Sequence, residues 1–257
     1  MKRIYITFGG KAYDATTVNI VSQAPLLGAD EVVVYDDRWL IDNHPDFMEI
    51  NKFLWETDKA FGFGWCSWKP FIILDALERC QPGDIVLYTD ADTYPIADLS
   101  PIFTGCADSE DGIFLFESQG NPNDRFTRRD CFIAMGLDDP KYDGREHACG
   151  RFQLFRAGGW RVKQFLMEWL VYSVNPMCQI VAPSKYGPDH SSYARHSNEQ
   201  SVLTLLAHKY GVPLHREACQ FGWPHTPHKT DAYPQLFHQV YCEGNRYDLS
   251  GSVYRNA

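Results

Sequence analysis

Asp90 and Asp92 flank one small residue, Ala91, directly after the apolar run Ile85-Val86-Leu87-Tyr88. Two carboxylates spaced this way can turn toward one hard cation, and a divalent ion held by one or two protein carboxylates keeps coordination positions for substrate phosphates. The chemistry suggested is metal-assisted handling of a diphosphate. The same spacing is common in solvated turns, so the pair becomes a site only in the right framework. Here the turn signal Gln81-Pro82-Gly83 opens the run, which reads as a strand buried on both faces, as in a parallel sheet. Open α/β sheets place their ligands at the carboxyl ends of such strands, where the two aspartates fall.

The elements around this strand alternate between the two periods. Arg3 to Phe8 predicts a strand running into Gly9-Gly10, and a helix is expected from about 17 to 27. A second strand, Glu31 to Tyr35, ends in Asp36-Asp37; acid there suits a hydrogen bond to a nucleobase or ribose, or simply a solvated turn. Residues 44–60 carry Phe47, Ile50, Phe53 and Leu54 at helical spacing, a core face. The aromatic loop 62–68 leads into a helix with Pro70 at its first position, which puts Lys69 at a helix amino terminus, a place that favours anions and where a lysine would complete a diphosphate site.

Beyond Asp92, Gly112 to Glu117 predicts another buried strand, followed by a polar stretch, 118–149, that carries Arg125, Arg128, Arg129 and Arg145. So long a connection inside a compact domain is usually functional. A strand over 151–155 and an amphipathic helix over 161–174 come next, then a Pro/Gly/Ser/Asp loop at 183–193 that could act as a lid. Ser197 and Gln200 have capping-box spacing, with Glu199 complementing the dipole of a helix whose core face is Leu203, Leu206, Ala207 and Tyr210. A short strand is expected over 212–219, and His225 and His228 stand beside Lys229 in a Pro-rich segment.

Length and charge narrow the classes. The 257 residues suffice for one full core, and the expectation is a single α/β domain with a largely parallel central sheet. A net charge of -9, without a basic run, argues against nucleic acid as the main partner. MKRIYITFGG enters a strand pattern without the longer apolar core of a signal peptide, and no stretch approaches the roughly 18 apolar residues of a membrane span, so a cytoplasmic location is expected. The eight scattered cysteines have neither zinc-like nor C-x-x-C spacing and read as reduced thiols.

The segment LYTDADTYPIADLSPIF resembles the donor-metal segment of GT-A glycosyltransferases, especially the family 8 and family 32 type, and WCSWKPFIILDALERCQPGDIVLY upstream resembles a helix-strand unit of small bacterial and viral sugar transferases. The resemblance implies a GT-A (nucleotide-diphosphosugar transferase) fold, Rossmann-like, with residues 1–117 binding nucleotide-sugar and metal and 118–257 binding the acceptor. It implies Mn2+ or Mg2+ on Asp90 and Asp92, with a third ligand from His225 or His228 and Lys229 on the diphosphate. It places Phe8, Gly9, Lys11, Tyr13, Trp68, Lys69 and Ala91 at the donor, and Asp130 at the acceptor. NEQSVLTLL is similar to a family segment whose acid-glutamine pair lies beside the transferred sugar, which would put Glu199 and Gln200 in the active site; the capping box competes for the same residues. The implied activity is transfer from a UDP- or GDP-linked sugar to a glycan or lipid-linked glycan hydroxyl, with retention. An inverting enzyme would need a carboxylate base, for which Asp130 and Glu199 are the candidates. A nucleotidyltransferase, a nucleotide-sugar hydrolase or a nonenzymatic binding module are the rival readings.

Overall fold

A computed structural model describes residues 1–9, 14–58 and 64–240; Lys11 and Tyr13 lie outside the described residues. The first half runs β1 (Arg3–Phe8), α1 (Asp14–Gln23), β2 (Glu31–Tyr35), α2 (Asp37–Asn43), α3 (Pro45–Ile50), α4 (Lys52–Thr57), α5 (Lys69–Glu78), β3 (Ile85–Asp90), β4 (Thr93–Pro95) and α6 (Ser100–Asp108). The second half adds β5 (Ile113–Pro122), α7 (Asn123–Phe126), α8 (Arg129–Ala134), β6 (Glu146–Ala148), β7 (Phe152–Arg156), α9 (Trp160–Ser173), α10 (Pro176–Gln179), α11 (Asn198–Tyr210), β8 (Leu214–His215), α12 (Gly222–His225) and β9 (Phe237–Gln239).

One sheet with the strand order β2-β1-β3-β7-β5-β6 organises the molecule, with β8 on β5. β1 pairs in parallel with both β2 and β3, and β8 pairs in parallel with β5. Because β7 is antiparallel to both β3 and β5, those two run in the same direction. The sheet is therefore largely parallel, as expected, with β7 and β6 reversed. Strand alternation divides the core in two. Ile4, Ile6, Val86, Tyr88 and Phe155 face α5, α9 and α11, where Ile72, Trp169 and Leu203 meet them. Tyr5, Leu87, Phe114 and Leu154 face α1 and α6, through Ile20 and Phe103. Coverage on both faces explains why β3 reads as a continuous apolar run.

Three expectations need correction. The single helix over 44–60 is two, α3 and α4, divided at Asn51, whose side-chain amide bonds the carbonyl of Phe47 at 2.9 Å. The strand over 212–219 shortens to β8 because the N–H of Arg216 turns to Asp231 Oδ2 at 2.7 Å. The stretch 118–149 is not one loop: β5 continues to Pro122 through an irregularity where Gln119 and Gly120 have positive φ, and α7, α8 and β6 follow. Among the described residues no helix is long and apolar enough to cross a membrane.

Candidate functional site

β3 ends at Asp90, which registers beside Phe8 of β1 and donates its N–H to the carbonyl of Arg151 at 2.7 Å. Even-numbered residues of β3 face the α5–α9–α11 layer, so Asp90 does too. Both α5 and α11 begin at this edge, and their first turns bring Lys69 and Glu199 to Asp90. The Lys69 ammonium lies 3.1 Å from Asp90 Oδ1 and 2.8 Å from Glu199 Oε1, and it donates to the carbonyl of Gly150 at 2.7 Å. With its side chain 2% exposed, Lys69 makes two hydrogen bonds and one further ion-pair contact to protein groups. Tyr88 adds its hydroxyl to Asp90 Oδ1 at 2.7 Å and its ring beneath the ammonium at 5.1 Å.

The electrostatics follow from this geometry. Burial alone would lower the pKa of Lys69, but the charges of Asp90 and Glu199 outweigh it and the pKa is raised, so the ammonium stays charged. Glu199 is pushed up by burial, opposed by Lys69. Asp92 rises from 3.8 to about 6, first through burial and then through the charge of Asp90, so the two carboxylates feel one another. Thr93 Oγ1 at 2.8 Å and Gln239 Nε2 at 3.0 Å hold Asp92. Asp90 Oδ2 accepts no hydrogen bond among the described residues, and its side chain is 32% exposed.

Among the described residues two groups could hold a metal: Asp90 and Asp92 with the adjacent Gln239, and Glu117, Glu146 and His228, whose ligand atoms lie within 4.8 Å of one another. Gln239 turns its Nε2 to Asp92, and its Oε1 is buried without a hydrogen-bond partner. Gln239 carries no local sequence signal, because it reaches Asp92 through the pairing of β4 with β9, 147 positions apart. Tyr88 and Gly150 are likewise contributions that only the folded sheet reveals.

The remaining expected residues fall elsewhere or take other partners. His228 Nε2 lies 3.3 Å from Glu117 and 3.9 Å from Glu146, and Lys229 donates to Glu146 at 2.7 Å and to the carbonyl of Leu214 at 2.8 Å. His225 ends α12, its carbonyl against Gly120. Extending the register, Asp90, Arg151 and Glu117 share one level across three strands, so this second group stands roughly 10 Å along the same edge, two strand spacings away. Asp130 is fully buried: it pairs with Arg128 at 2.7 Å and accepts the N–H groups of Lys185 and Tyr186 at 2.9 and 3.2 Å, which fastens the 183–193 loop down. The capping box does not form. Ser197 makes no side-chain cap, and the Gln200 amide crosses to the carbonyl of Ala148 at 2.8 Å. Instead Asn198, at φ +48°, starts α11, and the Trp169 indole holds the carbonyl of Glu199 at 3.0 Å. Trp68 is buried and stacks on Phe8 at 3.8 Å; Gly9 donates its N–H to the carbonyl of Tyr35, and Ala91 is buried in the turn. Asp36 caps α2 through the N–H of Trp39 at 2.7 Å. Two cavities, of about 580 and 300 Å³, are lined by Phe114, His215 and Asp231 and by Leu74, Ala157 and Trp160, respectively; neither is lined by Asp90 or Asp92.

No family model matches the chain, and no curated protein matches it. Solved structures with partial structural likeness include mouse xyloside xylosyltransferase 1 in its apo form, at 11% identity and TM-score 0.47, covering 88% of this chain and 90% of that one. The apo WbbM bifunctional glycosyltransferase shows 13% identity and TM-score 0.44, over 80% of this chain and 37% of that one. The galactosyltransferase LgtC, in complex with donor and acceptor sugar analogs, shows 12% identity and TM-score 0.44, over 95% and 88%.

Two measurements check this geometry. Lys69→Met leaves the buried Glu199 carboxylate and the partly exposed Asp90 carboxylate without their cation and is expected to cost about 3–5 kcal/mol, partly recovered by adding Glu199→Gln; strict additivity in urea unfolding would show that the groups do not interact. For Asp92, the folded pKa of about 6 exceeds the ordinary 3.8, so the folded state binds more protons between those values and stability falls as pH rises through that window. Asp92→Asn should remove this component; an unchanged pH profile would contradict the assignment.

Proposed function

We propose that the protein is a metal-dependent glycosyltransferase of the GT-A type, moving a sugar from a UDP- or GDP-linked donor to a glycan or lipid-linked glycan hydroxyl with retention at the anomeric carbon. The observation that carries this reading is the buried Lys69 ammonium, which ties Asp90 of the D-x-D turn to Glu199 of the second half at the carboxyl edge of β3. Residues 1–117 then serve as the donor half and 118–257 as the acceptor half, meeting where β3 pairs with β7.

Asp90 and Asp92, with Gln239 next to them, would hold Mn2+ or Mg2+, whose chemistry there would be Lewis-acid stabilisation of the departing diphosphate. Lys69 fixes the Asp90 carboxylate so that its Oδ2 is presented outward, and its charge preorganises the edge for an anion without contacting it. Glu199 and Gln200, in the first turn of α11, are the groups on the second half facing the transferred sugar. Retention is supported by the carboxylates themselves: Asp130 is sealed under its loop and Glu199 is neutralised by Lys69, so neither is a free base for an acceptor hydroxyl.

A panel of nucleotide-sugars with Mn2+ or Mg2+, scored for thermal stabilisation and for sugar transferred to glycan acceptors, tests the reading. One donor should stabilise the protein only with metal, and Asp92→Asn should lower transfer on the order of 10²-fold or more. Free sugar without any glycosylated acceptor would support a hydrolase instead, and no donor response at all would refute the proposal.

A further inference from the structure

We infer that Arg125, Phe126 and Arg195 form a subsite for an anionic sugar of the acceptor glycan, one bearing a carboxylate or a phosphate, apart from the hydroxyl that receives the transferred sugar. The inference rests on the sugar-transfer reading above and names the class of acceptor. It takes up an arginine of the polar stretch that the candidate site leaves unused. Both arginines are exposed, on a chain whose net charge is -9. The Arg125 carbonyl accepts the N–H groups of Ala194 and Arg195 at 2.9 and 3.4 Å, which fastens α7 to the segment that follows the 183–193 loop. That join sets both guanidinium groups around one ring, that of Phe126, at 5.8 and 5.4 Å from its centroid.

Two like charges are thus gathered without an acid to offset them. Among the described residues neither guanidinium has an ion-pair partner beyond the shared ring. Carboxylates of the surrounding segments are engaged elsewhere: Asp124 with His190 at 2.8 Å, Asp189 with the N–H of Arg129 at 2.8 Å, and Glu146 with Lys229 at 2.7 Å. His147, its ring 5.4 Å from that of Phe126, is kept neutral, its pKa lowered to about 3 by burial first and then by the charges of His196 and Arg195. An anion held between the arginines relieves their repulsion, and the planar fork of each guanidinium matches a carboxylate or a phosphate.

Placement decides which part of the substrate this is. The Phe126 carbonyl accepts the N–H of Ser197 and the hydroxyl of Ser201 at 2.9 and 2.7 Å, whereas Glu199 reaches Lys69 from the other face of the same helical turn. A helix with its side chains is roughly 10 Å across, and the patch stands about that far from the Lys69 centre. It is therefore removed from a diphosphate at Asp90 and within reach of a further sugar of an oligosaccharide acceptor.

The test is a binding titration of the full chain without donor or metal. The probes are a tetrasaccharide of glucuronic acid and N-acetylglucosamine against its carboxyl-reduced form, glucose 6-phosphate against glucose, and inorganic phosphate alone. In at least one pair the charged member should bind about tenfold or more tightly, and which pair shows it tells carboxylate from phosphate recognition. Arg125→Ala and Arg195→Ala should each weaken that binding about three- to fivefold and together abolish the preference, whereas Lys163→Ala, which removes the same charge from α9, should change nothing. Equal affinity within both pairs, or a preference that survives the double variant, would overturn the subsite. So would inorganic phosphate bound as tightly as the better sugar, which marks a plain anion site. Because no donor enters the titration, absent transfer with the preference intact would overturn only the transferase reading.

Discussion

A lysine ammonium taken out of water is the constraint on which the candidate site depends. Removing such a charge from solvent costs several kcal/mol even after relaxation, and the cost is recovered only when opposite charges and hydrogen-bond acceptors lie close around it. Lys69 meets that condition with Asp90, Glu199 and the carbonyl of Gly150. These groups belong to β3, α11 and the segment between β6 and β7. Their relative positions are thus set by one ion, from which none can withdraw without stranding a buried charge. The exposed pair Lys52–Glu49, by contrast, only links the end of α3 to the start of α4 and is screened by solvent.

The same interaction explains why carboxylates so far apart in sequence form one edge. Asp90 is held by Lys69 and Tyr88 on one oxygen, which leaves the other for solvent or ligand. Asp92, raised first by burial and then by the charge of Asp90, holds its proton more tightly than an ordinary aspartate. The edge stores repulsion that an added cation would relieve. Roughly 10 Å along the sheet, Glu117, Glu146 and His228 form a second acidic group, but Lys229 already neutralises it from within. Each group holds a buried oxygen without a hydrogen-bond partner among the described residues, Gln239 Oε1 next to Asp92 and Glu117 Oε2 in the second, but only the second has a lysine ion-paired to two of its members.

The sequence was legible where function and local pattern coincide. The apolar run of β3 ending in Asp90 and the placement of Lys69 at the start of α5 both follow from period and helix-start rules. It was illegible where a contact depends on strand order. Nothing near Gln239 announces that β9 pairs with β4 and brings its amide to Asp92, whereas the fold sets His228 beside Glu117 and Glu146. The spacing of Ser197 and Gln200 satisfies a local capping rule, yet Gln200 reaches Ala148 because α11 packs beside β6. Asp130 looked available in a polar stretch, and the fold buries it beneath the 183–193 loop.

The most direct test is a crystal grown with Mn2+ and a nucleoside diphosphate, with anomalous diffraction collected at the manganese edge. The account requires the anomalous peak between Asp90 and Asp92, with the Lys69 ammonium still between Asp90 and Glu199. A peak at Glu117, Glu146 and His228, with none at the aspartates, would contradict it.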